Sequence, residues 1–306
     1  MKSLAIVAEE YLALRRSLGF KLRHETWWLP DFVAFMDRQK SSVITTELAV
    51  AWAQQPPDAN PAWWAKKLSS IRMFARHCRA FDPRTEVPPV DILPYCKQRQ
   101  MPHIYTDDEI AALMREADGL RQLKAATYRT LIGLLAATGM RLGETLSLDQ
   151  GDIDWRHALV TVRCGKFQKS RHVSVHSTTL QALRAYAATR DRFRPVRHSS
   201  TFFVSLAGTR LFEQNVWATF ALLRRRAGLL RPGCRAPHIH HLRHTFAVKT
   251  LTRWYREGVD VERRLPWLST YLGHVSPAST YWYLTATPEL LSLASERAEH
   301  AWEVQS

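Results

Sequence analysis

The sequence has 306 residues, of which 46% are hydrophobic and 10% are aromatic. A chain of this length and composition can bury sizeable cores, predicts about two domains and excludes a wholly disordered protein. Lysine and arginine number 43 against 28 aspartates and glutamates, which gives a formal net charge of +15. Because like charges repel one another in a compact fold, this excess indicates a polyanionic partner, either nucleic acid or an anionic membrane.

The apolar runs and the cysteines argue against a membrane or secreted protein. The longest apolar run, at 131–140, is far shorter than the ~20 residues that a spanning helix needs. Glu9 and Glu10 interrupt the apolar core that a signal peptide would require. The 4 cysteines are scattered without a C-x-x-C pair, which is typical of a reducing cytoplasm. We therefore expect a soluble cytoplasmic protein that binds nucleic acid and no membrane.

Residues up to about 80 carry helix signals and no strand signals. After Ser3, apolar residues recur at helical spacing until Gly19, which suits the end of a helix. A second apolar cluster follows at 27–36, and Thr46 is predicted to cap a short third helix. Pro61 opens a fourth helix, because proline suits the first helical turn. This segment is predicted to be a small helical domain.

A proline-rich stretch divides the chain. Five prolines lie between Phe81 and His103, where they prevent a continuous helix. Thr106 and Glu109 then form a T-x-x-E capping box, which marks a new helix start. We predict a helical domain over 1–95, a linker over 96–104 and a second domain over 105–306.

The second domain mixes helices with a small β-hairpin. A predicted helix through Tyr128–Ala137 ends at Gly139. Two alternating runs, Leu159–Arg163 and His172–Val175, flank a basic turn and predict an antiparallel hairpin. Further helices are predicted at 178–189, 212–227, 240–254, 261–271 and from 287 onward. The predicted fold class is mainly α with a small antiparallel sheet, in which a helical N-terminal domain precedes a mixed α/β domain.

Several patterns in the second domain could carry chemistry, but each has an ordinary structural interpretation. Arg141 follows a glycine turn, where a solvated surface arginine is common. Lys166 and Lys169 fit a charged loop, and tyrosines that follow a loop, as at 281–283, usually pack. None of these signals is specific when it is taken alone.

The histidines raise a zinc hypothesis. His240 and His244 are spaced one helical turn apart, and Cys234 is a further potential ligand. Zinc hydrolases of the H-E-x-x-H type need a glutamate where this chain has His241. We therefore predict no metal site.

The order of these patterns is more informative than any one of them. Together, Arg…Lys…His-x-x-Arg…Leu-Gly-His…Tyr resembles the tyrosine recombinases, also called the phage integrase family, and within it the recombinases of bacterial mobile elements. The resemblance covers essentially the whole second domain. The position of His241 is commonly acidic in the family, so this residue is a departure outside the catalytic set. The matching segments are ATGMRLGE at 137–144, GKFQK at 165–169, HHLRHTFA at 240–247, LGH at 272–274 and a tyrosine nine residues after that histidine.

The resemblance implies a catalytic set and a role for each member. Tyr283 would attack the scissile phosphate, forming a 3′-phosphotyrosine and freeing a 5′-hydroxyl. The arginines would stabilise charge on the phosphate, and His274 would donate a hydrogen bond to it. His240 would help with proton transfer at the tyrosine, and Lys166 would protonate the departing oxygen. No cofactor is implied. The catalytic residues carried over are Arg141, Lys166, His240, Arg243, His274 and Tyr283.

Two positions in this set have rivals nearby. Tyr281 is close enough in sequence to compete with Tyr283, although the nine-residue interval favours Tyr283. Lys169 competes with Lys166, although the Gly-Lys pair at the start of the turn favours Lys166.

The resemblance also implies partners. Double-stranded DNA would be clamped between the two domains, and four copies of the chain would assemble on two DNA sites, with a monomer or weak oligomer in free solution. Accessory DNA-bending proteins are further expected partners, and the place of action would be the bacterial nucleoid. The C-terminal helix is predicted to dock on a neighbouring copy. The predicted DNA contacts are Arg15, Arg16, Lys21, Arg23, Lys66, Lys67, Arg72, Arg76, Lys169 and Arg171.

The leading hypothesis is a site-specific recombinase that integrates or excises a mobile element. One alternative is an architectural or regulatory DNA-binding protein on the same fold, which would not need all six catalytic groups. Another is a type IB topoisomerase-like activity, which uses similar chemistry but relaxes DNA without strand exchange.

Overall fold

The computed structural model divides into two compact units, Met1–Arg99 and Gln100–Ser306. Each unit has its own hydrophobic core and is described by itself. The structure describes residues 3–94, 101–163, 170–193, 199–285 and 287–303.

The first unit is helical, as predicted. Ser3 caps its first helix by accepting a hydrogen bond from the Ile6 amide. Thr45, one residue before the predicted Thr46, caps the third helix, because its hydroxyl accepts from the Leu48 amide. Pro61 begins the fourth helix, as predicted. The helices are α1 (Leu4–Ser17), α2 (Glu25–Arg38), α3 (Thr46–Ala53) and α4 (Pro61–Arg79).

Apolar faces of these four helices meet in one core. Phe32 and Met36 on α2 are fully buried, and Trp52 on α3 packs edge-on against Phe32 with ring centroids 5.3 Å apart. Leu68 on α4 is buried in the same cluster. Apolar residues spaced three or four positions apart lie on the same side of a helix. Each helix therefore buries that side and leaves the opposite side in solvent.

The second unit is also mainly helical. The predicted capping box is confirmed, because the Thr106 hydroxyl accepts from the Glu109 amide and the Glu109 carboxylate accepts from the Thr106 amide. Short 3-10 helices lie at Gln150–Asp152 and Trp282–Thr285. The α-helices are α5 (Asp107–Asp118), α6 (Leu123–Thr138), α7 (Leu142–Leu146), α8 (Ser177–Phe193), α9 (Glu213–Arg226), α10 (His241–Arg256), α11 (Val261–Leu272), α12 (Ala278–Tyr281) and α13 (Pro288–Glu303).

The predicted hairpin is the main part of a three-stranded antiparallel sheet. Its strands are β2 (Leu159–Val162) and β3 (Arg171–Ser174), with Val160 opposite Val173. A two-residue strand, β1 (Ile153–Asp154), pairs with the outer edge of β2 and is an addition to the prediction. The fold class predicted from the sequence is thereby confirmed.

The core of the second unit surrounds α6. Leu131 and Ile132 on this helix are fully buried, and Val160 and Val173 of the sheet belong to the same cluster. A smaller cluster joins α10, α11, the 3-10 helix at 282–285 and Leu290 of α13. Within the described residues, no helix is long and apolar enough to cross a membrane.

Candidate active site

Gly139 determines the position of the first predicted catalytic arginine. Gly139 ends α6 in the left-handed conformation, with φ of 61°, and a β-carbon there would lie 2.6 Å from the Phe246 ring. Only glycine therefore fits this turn without displacing its neighbour. The turn delivers Arg141 to the start of α7, where its Nη2 donates to the Gly273 carbonyl at 2.7 Å.

Arg243 lies on α10 and is only 3% exposed. Its Nη1 donates to the Gly139 carbonyl at 2.8 Å, and its Nη2 donates to the Leu272 carbonyl at 2.7 Å. Desolvation and the nearby Arg141 charge lower the pKa of Arg243 to about 10, while Tyr283 and Glu144 act in the opposite sense. Arg243 therefore remains a cation at neutral pH.

The two arginines converge on one turn. Arg141 holds the carbonyl of Gly273 and Arg243 holds the carbonyl of the preceding residue, Leu272. Gly273 ends α11 with φ of 68°, and His274 follows it directly. The Nδ1 atom of His274 lies 2.7 Å from the Thr280 hydroxyl oxygen. Three predicted catalytic residues are thus anchored to the same short segment.

A carboxylate orients Arg141. Buried Glu144 accepts a 2.6 Å hydrogen bond from Arg141 Nη1, and it also accepts hydrogen bonds from Arg171 on β3. Burial raises the pKa of the Glu144 carboxyl, but hydrogen bonds and charge from Arg171 and Arg141 outweigh that effect, so the pKa lies below its ordinary value. Glu144 is therefore ionised at neutral pH and fixes the guanidinium of Arg141.

The predicted DNA contact at Arg171 needs correction. Its Nε donates to the Tyr271 carbonyl at 2.8 Å, and Nη2 donates to Glu144 at 2.7 Å. The side chain is largely buried between these partners. Arg171 acts as a support for the Glu144–Arg141 pair, because its donors are directed into the protein and not towards solvent.

The structure separates the two rival tyrosines. Tyr283 is 2% exposed, whereas the Tyr281 side chain lies outside with 51% of its surface in solvent. The ring of Tyr283 stacks with the His274 ring at a centroid distance of 6.0 Å. Its hydroxyl oxygen lies 3.2 Å from Nδ1 of His244. Tyr283, and not Tyr281, therefore lies among the predicted catalytic groups.

His240 lies beside this group at the N-terminal end of α10. Its ring is perpendicular to that of His244, with centroids 5.0 Å apart. Desolvation and the charges of Arg243 and Arg141 lower the pKa of His240, which favours a neutral ring at neutral pH. The histidine that meets the Tyr283 hydroxyl in the described contacts is His244, a residue that the sequence motif does not assign to catalysis.

Sequence reasoning did not place His244 beside the tyrosine. Its position one turn after His240 and directly after Arg243 was considered only as a zinc signal. In the described part of the chain, no three His, Cys, Asp or Glu side chains are grouped as metal ligands. Helical spacing alone indicated that His244 could reach the face of α10 that carries His240, but it did not identify Tyr283 as the contact.

The lysines of the hairpin turn, Lys166 and Lys169, lie outside the described residues. Both remain predictions from the sequence pattern.

The predicted DNA contacts of the first unit fall into three groups, which are half-buried, exposed and buried. Arg15 is half-buried, with its guanidinium 3.7 Å from the centroid of the Phe20 ring. Its unit also exposes basic side chains that are available to a phosphate backbone. These exposed residues are Arg16, Lys21, Arg23, Lys66 and Arg76.

Lys67 and Arg72, two further predicted DNA contacts, are buried in this unit. Lys67 Nζ donates to the carbonyls of Trp52 and Gln55, at 3.2 and 2.8 Å. Arg72 donates to the carbonyls of Pro88 and Pro89, at 2.7 and 2.6 Å. These two cations therefore hold parts of the first unit together through backbone carbonyls.

The chain is similar to proteins of known families. The model of the phage integrase family matches residues 104–289. The chain is 42% identical over 311 residues to "Putative integrase/recombinase y4rB" of Sinorhizobium fredii, and the match covers 99% of both chains.

Solved structures show the same fold. The Tn1549 transposon integrase in complex with a circular intermediate DNA superposes with a TM-score of 0.69 at 15% identity, covering 97% of this chain and 100% of that one. A lambda integrase tetramer bound to a Holliday junction superposes with a TM-score of 0.61 at 19% identity, covering 90% of this chain and 79% of that one.

Proposed function

Because this chain belongs to the phage integrase family of site-specific DNA recombinases, we propose that it cuts and rejoins DNA through a phosphodiester link to Tyr283. The observation that carries the proposal is the placement of one buried tyrosine within a group of two anchored arginines and two histidines. Covalent catalysis conserves the energy of the phosphodiester bond, so strand exchange needs no nucleotide cofactor.

Arg141 and Arg243 would stabilise the transition state. Negative charge grows on the non-bridging phosphate oxygens during attack, and a guanidinium is a permanent cation with several donors in one plane. Both guanidinium groups are already held by the carbonyls of two adjacent residues, Leu272 and Gly273. Little reorganisation of the arginines is therefore required when the phosphate arrives. Preorganised donors of this kind contribute about 3 kcal/mol each.

His274 and Lys166 complete the proposed chemistry. His274 would donate a hydrogen bond to the same phosphate, and Lys166 would protonate the 5′-oxygen as it leaves. The arginines supply the positive charge that a metal ion provides in other nucleases, and we propose that the reaction is metal-independent.

The proposal extends to the assembly. Both structural relatives described above are held in complexes with DNA, and one of them is a tetramer on a Holliday junction. We propose that this chain binds double-stranded DNA at the nucleoid and acts as a tetramer on two sites during the movement of a mobile element. The exposed cations of the first unit would contact phosphates, which makes binding sensitive to salt.

Covalent trapping tests the proposal. Nicked duplexes covering the DNA that flanks the gene would be incubated with protein and separated on a denaturing gel. A protein–DNA band is expected for the wild type, with and without EDTA, and for Tyr281→Phe. The same band is expected to disappear for Tyr283→Phe.

Four results would contradict this proposal. Loss of the band in Tyr281→Phe, with retention in Tyr283→Phe, would move the nucleophile to Tyr281. Loss of the band in the presence of EDTA would show that the reaction needs a metal ion. Tight binding to a duplex without any adduct would favour an architectural DNA-binding protein, and relaxed plasmid without exchanged strands would favour a topoisomerase.

A further inference from the structure

His244 is held against the tyrosine by its surroundings. Its ring lies edge-on to Trp282, with centroids 5.3 Å apart, and tilted against Tyr283 at 5.5 Å. Both aromatic residues belong to the 3-10 helix at 282–285. The Nδ1 atom of His244 therefore faces the Tyr283 hydroxyl, 3.2 Å away, because packing on two sides restricts the ring.

Burial and neighbouring basic side chains keep His244 neutral. His240, His241 and Arg243 approach from the same helix, and His274 approaches from the turn after α11. Desolvation, followed by these groups, lowers the pKa of His244 to about 3. A neutral imidazole with its proton on Nε2 presents the lone pair of Nδ1 to a phenol hydroxyl. His244 is therefore in the protonation state that can accept a proton from Tyr283.

We propose that His244 is a further catalytic residue, which positions the Tyr283 phenol and takes its proton during attack on DNA. This role rests on the proposed function of Tyr283 as nucleophile. As the Tyr283 Oη–phosphorus bond forms, the phenol proton moves to Nδ1 of His244, the phosphorus–O5′ bond breaks, and the general acid protonates O5′. In the reverse step, the attacking 5′-hydroxyl returns its proton to the general acid, and His244 returns the other proton to Tyr283.

DNA itself would favour this proton transfer. A bound phosphodiester adds negative charge beside Arg243, which is one of the groups that lower the pKa of His244, and an opposite charge nearby favours the protonated imidazole. Without DNA, the ring stays neutral and the phenol keeps its proton. The proposed base thus gains proton affinity in the complex that needs it.

Substitutions on α10 separate this role from simple packing. His244→Asn places an amide near the position of Nδ1 but provides no base, whereas His244→Ala removes both. In single-turnover cleavage of a nicked duplex, we expect both variants to be slower than the wild type by about 100-fold or more. The deficit should shrink as the pH rises into the alkaline range, because a growing fraction of the phenol then ionises without help.

Two matched variants serve as controls. His176→Asn changes an exposed histidine just before α8, whose Nδ1 lies 2.9 Å from the Thr178 hydroxyl oxygen. We expect this variant to cleave at the wild-type rate. His240→Asn tests the residue that the sequence assigned to proton transfer, and it should lack the pH-dependent recovery seen for His244→Asn. The reverse pattern would return the proton acceptor to His240 and overturn our proposal.

A sulfur leaving group distinguishes loss of proton transfer from Tyr283 from loss of proton transfer to the leaving oxygen. A duplex with a 5′-bridging phosphorothiolate needs no general acid, because a thiolate leaves without protonation. Cleavage of this duplex should remain slow in His244→Asn and should recover in Lys166→Ala. Recovery of His244→Asn, or a wild-type rate and pH profile for that variant, would overturn the role of His244.

The proposal about His244 can fail separately from the proposed function. If the wild type forms an adduct that Tyr283→Phe abolishes and His244→Asn leaves unaltered, only the role of His244 fails. If the wild type forms no adduct at Tyr283, the proposed function fails and the role of His244 fails with it.

Discussion

Both units bury cations against backbone carbonyls, but the two burials serve different ends. In the first unit, Lys67 joins α4 to the carbonyls of Trp52 and Gln55, and its Nζ lies 4.0 Å from the centroid of the Trp52 ring. In the second unit, Arg243 joins α10 to carbonyls and also lies in the field of Tyr283. Lys67 and Arg243 are both buried cations, so the groups around each side chain decide its role.

Donor number contributes to the difference. Lysine has three donors on one atom, whereas arginine has five arranged in a plane. Arg243 uses one donor from each terminal nitrogen for a carbonyl, which leaves further donors on the same nitrogens for a phosphate. A buried arginine can therefore hold the fold and still take part in chemistry, provided that it borders the active site.

The largest expected effect comes from removing the cation of the second unit. Arg243→Gln should slow adduct formation by about 10²- to 10³-fold, because it removes a donor aimed at transition-state charge. Single-turnover cleavage of a nicked duplex measures the rate. Arg243→Lys should be nearly as slow, because a single ammonium nitrogen lacks the two terminal nitrogens with which a guanidinium holds both carbonyls and still presents donors to a phosphate. A wild-type rate in either variant would contradict the proposed role.

The corresponding change in the first unit should affect stability instead. Lys67→Met leaves two carbonyls without their donor, so the free energy of unfolding should fall by about 2 kcal/mol. Thermal unfolding followed by circular dichroism measures this loss. Lys66→Met, at the exposed neighbouring position, should leave the melting temperature close to that of the wild type. An equal loss of stability in the two variants would show that the carbonyl contacts of Lys67 do not stabilise this unit.

A smaller effect is expected at Arg171. Arg171→Ala should slow cleavage by about tenfold at neutral pH, comparable to the loss of one net hydrogen bond. Glu144 must be ionised to hold Arg141, and Arg171 is the leading cause that lowers the pKa of Glu144. Without Arg171 that pKa rises, so activity should fall at a higher pH than in the wild type as the solution is acidified.

The rate–pH profile of the Arg171 variant measures this shift. Glu144→Gln serves as its control, since this variant has no carboxylate to protonate and should lack the acidic limb. An acidic limb at the same pH in Arg171→Ala and the wild type would show that Arg171 does not act through Glu144.

The smallest expected effect concerns exposed cations of the first unit. Lys66→Met should reduce the slope of log binding constant against log salt concentration by about one, since one phosphate contact is lost. Lys67→Met should leave that slope unchanged. Titration of a labelled duplex at several salt concentrations provides the measurement, and an unchanged slope in Lys66→Met would exclude this residue as a DNA contact.

Much of the fold could be predicted because its signals are local. The Thr106–Glu109 capping box, Pro61 at the start of α4 and Gly139 at the end of α6 each act within one helical turn. The alternation in β2 and β3 identified the hairpin, but β1 is two residues long and has no period to detect. Local chemistry therefore determined the elements but not every strand pairing.

The site could be predicted in part. The spacing from the L-G-H motif predicted Tyr283 and not Tyr281 as the nucleophile, and the structure buries Tyr283 beside His274. Sequence reasoning counted Lys67 and Arg72 as surface cations, because a helix sequence does not reveal which carbonyls will lie beside it. Arg171 was placed among DNA contacts for the same reason, since its partner Glu144 is far away in the chain.

By itself, the sequence determined the family, the helical segments, the turns that need glycine and the order of the catalytic motifs, because these depend on neighbouring residues or fixed intervals. Only the tertiary structure decided that Arg141 and Arg243 hold adjacent carbonyls and that His244 meets the Tyr283 hydroxyl. Such contacts join residues as much as 132 positions apart. Their geometry follows from how helices pack, which no local pattern of residue types encodes.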